Sequence, residues 1–227
     1  MTQKQYLILE NYMLSCMEDS AHDAEHIYRV LYNALQIAKA EENVNYDILI
    51  TACLLHDIGR REQFADHSLC HAVVGAEKAC RFLLEQGYAP EFAEAVAHAI
   101  RTHRFRKAMQ PETLEAKILF DADKLDVTGA IGIARTLMYK ADMAEPLYHM
   151  LPDGRISDGT EDLGPSFFRE YKFKLETMYD RFSTKTGETL ARHRQRIAAD
   201  FYESLYREVN TGYTEGKTML QDLMEES

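Results

Sequence analysis

An all-α fold is predicted for this chain, as one domain running from residue 1 to 227. Three observations predict it. Apolar residues recur at three- and four-residue spacing from one end to the other, alternating strand patterns are nearly absent, and Pro and Gly stand where helices would begin and stop.

Taken in order, Tyr6, Leu7, Leu9, Tyr12 and Met13 form an opening amphipathic stretch. Ile27, Val30, Leu31, Ala34, Leu35 and Ala38 then lay an apolar stripe along one helical face, with His26 near its amino-terminal end. An apolar run from Ile48 to Leu55, interrupted by Thr51, leads into His56. Asp66-His67-Ser68 offers caps for the next helix, which should stop at Gln86-Gly87. Pro90 and Pro111 sit where later helices would begin. The densest break runs from Pro146 to Pro165 and is read as a surface excursion, with a lid as the alternative. Two amphipathic helices are expected at Phe167 to Phe182 and Thr189 to Val209, with Gly187 between them and an acidic, fraying tail from Tyr213 onward.

Composition narrows the function. A hydrophobic content of 46% supports a real core, and a net charge of −11 opposes general binding to nucleic acid or anionic membranes. No stretch reads as a leader or membrane span, and Cys16, Cys53, Cys70 and Cys80 stand at irregular spacings. These features point to a cytoplasmic chain with reduced thiols and no structural zinc site.

The chemistry is concentrated around His56 and Asp57, adjacent at the end of the apolar run Ala52-Cys53-Leu54-Leu55 and followed by Ile58-Gly59. An imidazole and a carboxylate leaving a buried wall together are a metal-chelating pair. Two further candidate ligands flank them: His26, within His22-Asp23-Ala24-Glu25-His26-Ile27-Tyr28-Arg29-Val30, and Asp123, within Asp121-Ala122-Asp123-Lys124-Leu125-Asp126. Two imidazoles and two carboxylates leave coordination positions open, so that an ion can polarise a phosphoryl oxygen and lower the pKa of water. Mixed nitrogen and oxygen ligands suit Mn, Fe, Co, Ni or Zn, with Mg also open. His22 lies one turn before His26, and with Asp23 it suits a helix cap or a ligand-orienting group as well as a ligand. His67 and His149 have no motif around them and read as surface residues.

The order His26, His56-Asp57, Asp123, with H-D-x-x-H-x-x-R-V, L-L-H-D-I-G and A-D-K-L-D around them, resembles the HD-domain phosphohydrolase superfamily over roughly residues 22 to 127. The resemblance implies a helical HD core over about residues 20 to 128 with a helical extension over about 129 to 212. It also implies one divalent metal ion held by His26, His56, Asp57 and Asp123. Gly129-Ala130-Ile131-Gly132-Ile133-Ala134-Arg135 and Thr186-Gly187-Glu188-Thr189-Leu190-Ala191 are similar to a narrower group of small bacterial HD hydrolases, some of which cleave nucleoside triphosphates and release pyrophosphate.

The expected activity is therefore a metal-dependent phosphohydrolase acting on a small phosphorylated substrate. A nucleoside triphosphate cleaved to monophosphate and pyrophosphate is the first choice; phosphomonoesters and cyclic nucleotides are alternatives, and a non-catalytic metal and nucleotide sensor is the alternative of another class. Asp57 and Lys124 are expected at the reacting phosphate. Arg60, His98, His103, Arg104 and Lys124 are expected to bind it, since an arginine fork matches phosphate oxygens. His71, His98 and His103 would instead hold a second ion in two-metal relatives; the one-ion reading is preferred. His98 and His103, five residues apart, lie roughly 140° apart on an ideal helix and share a face only if the helix ends between them. Arg101, Arg104, Arg106 and Lys107 crowd seven residues, which suits a solvated face as well as phosphate capture. Many HD hydrolases carry an acidic residue shortly after His-Asp, but here Arg60 and Arg61 follow Gly59 and the next acid is Glu62. His71 and Asp126 are the candidates left for the general base, with Asp126 equally suited to capping or to pairing with Lys124.

Overall fold

The computed structural model of the protein describes residues 1–17, 24–104 and 109–225. His22, Asp23, Arg106 and Lys107 lie outside the described residues. Among those described, the chain is helical with no strand, and the antiparallel bridge Met150–Ile156 stands alone. The all-α expectation holds. No helix among the described residues is long and apolar enough to cross a membrane.

The chain divides into two compact units. The first comprises Met1–Asp126 and Phe182–Thr189. Its helices are α1 (Gln3–Met17), α2 (Ala24–Ala38), α3 (Tyr46–Leu55), α4 (Arg60–Ala65), α5 (His71–Glu85), α6 (Pro90–Thr102) and α7 (Leu114–Leu125). Each boundary has a local cause. The Asn45 side chain caps α3 by accepting from Asp47 N and Ile48 N, Pro90 starts α6, and Thr113 caps α7 through Ala116 N. Gly87, with φ of 81°, stops α5 in the left-handed conformation, as expected for Gln86-Gly87.

One boundary departs from expectation. Asp66 and Ser68 do not cap α5: Asp66 Oδ1 accepts from Ser68 N at 2.9 Å in a turn, and the helix starts at His71. This later start places His71 in the first turn, where its side chain reaches the end of α3.

The core of this unit joins Leu9 and Met13 of α1, Ile27, Val30, Ala34 and Ile37 of α2, and Leu49, Leu54 and Leu55 of α3, all fully buried. Each such Leu or Ile contributes about 1.5–3 kcal/mol. Helices α5 and α6 pack on one another with buried faces rich in alanine, including Ala72, Ala76 and Ala79 against Ala93 and Ala97, and small side chains let two backbones approach closely. Asp121 ties in the later segment: its buried carboxylate accepts from Ser183 N at 2.8 Å, and from Thr184 N and Thr184 Oγ1 at 2.7 Å. A methyl at Gly187 would lie 2.6 Å from Asp121 Oδ2, so the Thr186-Gly187-Glu188 stretch is the close-packed start of the last helix.

The second unit comprises Val127–Arg181 and Leu190–Ser227. It contains α8 (Gly129–Asp142), the short α9 (Phe167–Glu170) and most of α10 (Lys185–Glu225). Its core gathers Ile133, Ile156, Phe167, Phe168, Tyr171, Leu175, Tyr179 and Tyr202, with Tyr171 stacked on Tyr202 at 4.0 Å between ring centroids. The 146–165 break folds back on itself, with Leu151 N donating to Arg155 O at 2.8 Å and Ser157 N to His149 O at 2.9 Å. Two expectations change here. The apolar stripe from Phe167 is real, but its backbone passes through a π-helical turn at Tyr171–Leu175 and a 3-10 turn at Met178–Asp180 instead of one continuous α-helix. The acidic tail is helical as far as it is described: residues 213–225 complete a 41-residue helix, because strong helix formers such as Glu, Lys, Leu and Met favour helix even when exposed.

Candidate metal centre

The candidate side chains of the first unit stand at helix ends. His26 lies in the first turn of α2, His56 is the C-cap of α3, His71 opens α5, His103 is the C-cap of α6, and Asp123 lies in the last turn of α7, which Asp126 caps. Helix α6 ends at Thr102, which frees His103 from the 140° separation and leaves His98 one turn back.

Four imidazoles are oriented by the same device. His56 Nδ1 donates to Cys53 O at 2.7 Å and His103 Nδ1 to Ile100 O at 2.6 Å, each using a carbonyl of its own helix near the C-terminus. His71 Nδ1 meets Gln63 Oε1 at 2.6 Å, and Gln63 is held in turn by Leu69 O at 3.2 Å. His26 Nδ1 meets Asp126 Oδ2 at 2.7 Å. All four partners are acceptors, so each Nδ1 carries a proton and each Nε2 is presented inward as the potential ligand atom.

The Nε2 atoms converge on Asp57, which is 1% exposed. On one side His26, His56 and Asp123 form a ligand group: His26 Nε2 lies 3.4 Å from His56 Nε2 and from Asp123 Oδ1, and 3.6 Å from Asp57 Oδ2. On the other, Asp57 Oδ1 forms a second group with His71 Nε2 at 3.3 Å and His103 Nε2 at 3.7 Å. Among the described residues neither oxygen of Asp57 has a hydrogen bond, although both are buried. An ionised carboxylate so placed is costly unless a cation answers it, and the residues present fit a divalent ion.

The electrostatics agree. Burial alone would lower the His26 pKa, but the Asp123, Asp126 and Asp57 carboxylates around it raise it to about 11, so this carboxylate-rich side demands positive charge. Burial would raise Asp57, but the nearby His56, His26 and Arg60 hold it well below the usual carboxylate range. Burial pushes His71 down to about 2 and His103 down to about 4, leaving neutral nitrogens suited to ligation.

The remaining candidates divide. Arg60 Nε lies 3.0 Å from Asp57 Oδ1. Arg104 is near enough for its charge to depress His71, and its Nη1 is buried with no hydrogen-bond partner among the described residues. His98 Nε2 is likewise buried and unpaired there, and His98 joins neither ligand group. Lys124 directs Nζ over the rings of Phe120 at 3.9 Å and Phe182 at 5.3 Å. Asp126 faces His26 and a bidentate Arg29, with Nε at 2.7 Å from Oδ1 and Nη2 at 3.1 Å from Oδ2. Sequence reasoning missed Arg29 and Gln63. The i, i+3 spacing of His26 and Arg29 was the available signal for the first, and nothing local marked the second. Asp126→Asn, which gives His26 a poorer acceptor and unsettles Arg29, should weaken Mn²⁺ binding by about 10- to 100-fold in a calorimetric titration; unchanged affinity would show that Asp126 does not orient the ligand.

Comparison with known proteins places this geometry. The HD domain family matches residues 23–128. The Bacillus subtilis (strain 168) protein YpgQ is 30% identical over 197 residues, covering 85% of this chain and 86% of its own. A crystal structure of Bacillus subtilis YpgQ in complex with ADP superposes with a TM-score of 0.69 at 28% identity, covering 90% of this chain and 95% of that one. An HD-superfamily hydrolase from Bacillus thuringiensis gives a TM-score of 0.71 at 28% identity over 92% and 98% of the two chains. The chain shares its fold and sequence with these proteins, and it belongs to the HD-domain phosphohydrolase superfamily, as a metal-dependent hydrolase.

Proposed function

We propose that the protein hydrolyses nucleoside triphosphates to nucleoside monophosphate and pyrophosphate. The observation that carries the phosphohydrolase reading is the buried Asp57 carboxylate, whose oxygens have no hydrogen bond among the described residues and are faced by four Nε2 atoms. The ADP held by YpgQ supports a nucleotide as the substrate.

His26, His56, Asp57 and Asp123 would hold one divalent ion, and such an ion supplies Lewis-acid activation of water and of a phosphoryl oxygen. The chain's own residues do the rest. Arg60 and Arg104 bring two permanent cations to the neighbourhood of His71, where the charge of a polyphosphate needs neutralising. His71 and His103 present nitrogens at 3.3 and 3.7 Å from Asp57 Oδ1, within reach of a phosphate oxygen bound there. Asp126, held by Arg29, keeps His26 in the ligating tautomer.

Incubation with Mn²⁺ and a panel of nucleoside triphosphates, monophosphates and cyclic nucleotides, with products identified by phosphorus NMR, tests this. Monophosphate and pyrophosphate in equal amounts are expected. Orthophosphate alone, or a cyclic nucleotide as the preferred substrate, would replace the reading with a phosphomonoesterase or phosphodiesterase.

A further inference from the structure

The two ligand groups that meet at Asp57 differ in charge. The first faces two carboxylates, Asp57 and Asp123, and a third, Asp126, stands behind His26. The second has only Oδ1 of Asp57, together with the imidazoles of His71 and His103 and the Arg60 guanidinium 3.0 Å away. A permanently charged arginine therefore cancels the single negative charge on which the second group would draw.

We propose that Arg60 sets the metal count of this centre: its guanidinium serves as the counter-charge to Asp57 Oδ1, so that one divalent ion binds tightly and a second only after Arg60 is displaced. The inference rests on the reading of His26, His56, Asp57 and Asp123 as an ion site.

The manner in which Arg60 is held supports the assignment. Arg29 grips Asp126 with two directed hydrogen bonds, the fork geometry of a structural arginine. Arg60 touches Asp57 through Nε at 3.0 Å, yet among the described residues neither Nε nor Oδ1 has a well-directed hydrogen bond. Charge, not a directed bond, keeps it there. Arg60 also opens α4 directly after the His56-Asp57-Ile58-Gly59 turn, and its side chain is 27% exposed, so it has room to swing outward without disturbing the core.

The test is Mn²⁺ titration of the metal-free full chain by calorimetry, with electron paramagnetic resonance to detect spin-coupled Mn pairs. The native protein should take up one tight equivalent and show no coupled signal. Arg60→Gln should gain a second equivalent, its affinity raised at least about tenfold, the order by which a neighbouring like charge shifts a cation equilibrium, together with a coupled-pair signal. Arg60→Lys, which keeps the charge, should stay at one equivalent. Adding His71→Ala to Arg60→Gln should abolish the second equivalent, which separates ligation at this site from stray binding. Two tight equivalents in the native protein, or one in both Arg60→Gln and Arg60→Lys, would overturn the proposal. Neither readout involves nucleotide, so failure of the substrate reading would be seen separately.

Discussion

Replacing Asp57 by Asn is expected to abolish metal uptake and turnover while leaving the fold intact. Asp57 is the one side chain that both ligand groups share, with Oδ2 facing His26 and His56 and Oδ1 facing His71 and His103. Removing a group that merely orients a ligand costs about 10- to 100-fold in metal affinity, so loss of this carboxylate should exceed 100-fold. The amide is nearly isosteric with the carboxylate, so the ion-free protein should fold. Thermal melting makes the contrast visible. An ion at about 100 times its Kd stabilises the native protein by about 2.7 kcal/mol, which raises Tm by about 5–10 °C in a chain of this size. Asp57→Asn should show no such rise. A variant that kept its metal content and turnover would sink the proposed site.

The second large effect is expected at Gly59. Its backbone has ordinary dihedrals, φ −94° and ψ 6°, so the glycine is required by space and not by conformation. An added methyl would run into the His71 carbonyl oxygen and come within 2.6 Å of the Gly75 nitrogen, both backbone atoms of α5. Backbone cannot rotate away as a side chain can, so α5 must move and carry His71 away from Asp57. Lys78, which donates to Ile58 O and to Glu62 Oε1 at 2.7 Å each, resists that movement by fastening the turn to α5. Gly59→Ala should cost about 3 kcal/mol, and Tm should fall by about 6–12 °C. Gly212→Ala in α10, where nothing lies within 4 Å of the new methyl, is the matched control. Equal melting of the two variants would refute the close-packing account.

Much of the helix placement and the four candidate ligand positions in motifs were legible in the sequence because both are local. An apolar stripe at three- and four-residue spacing marks a helix whatever it packs against, and His56-Asp57 at the end of the Ile48–Leu55 run announces where that wall stops. The bonds of His56 to Cys53 O and of His103 to Ile100 O were also within reach, each spanning only three residues. Locality fails elsewhere. Whether His98 or His103 reaches the centre turned on the end of α6, a boundary set by less than one helical turn. Asp126 and Lys124 are two residues apart, yet one is drawn to His26, 100 positions away, and the other to Phe182.

Residue types, most helix positions and the expected chemistry were legible in the sequence alone. The sharing of Asp57 between two ligand groups, the placement of Arg60 against one of its oxygens and the Arg29–Asp126 support of His26 were decided only by the tertiary structure. The reason is physical. Each of these depends on where one helix end lies relative to another to within about an ångström, and that distance follows from the packed volumes of many side chains acting together, which no local pattern encodes.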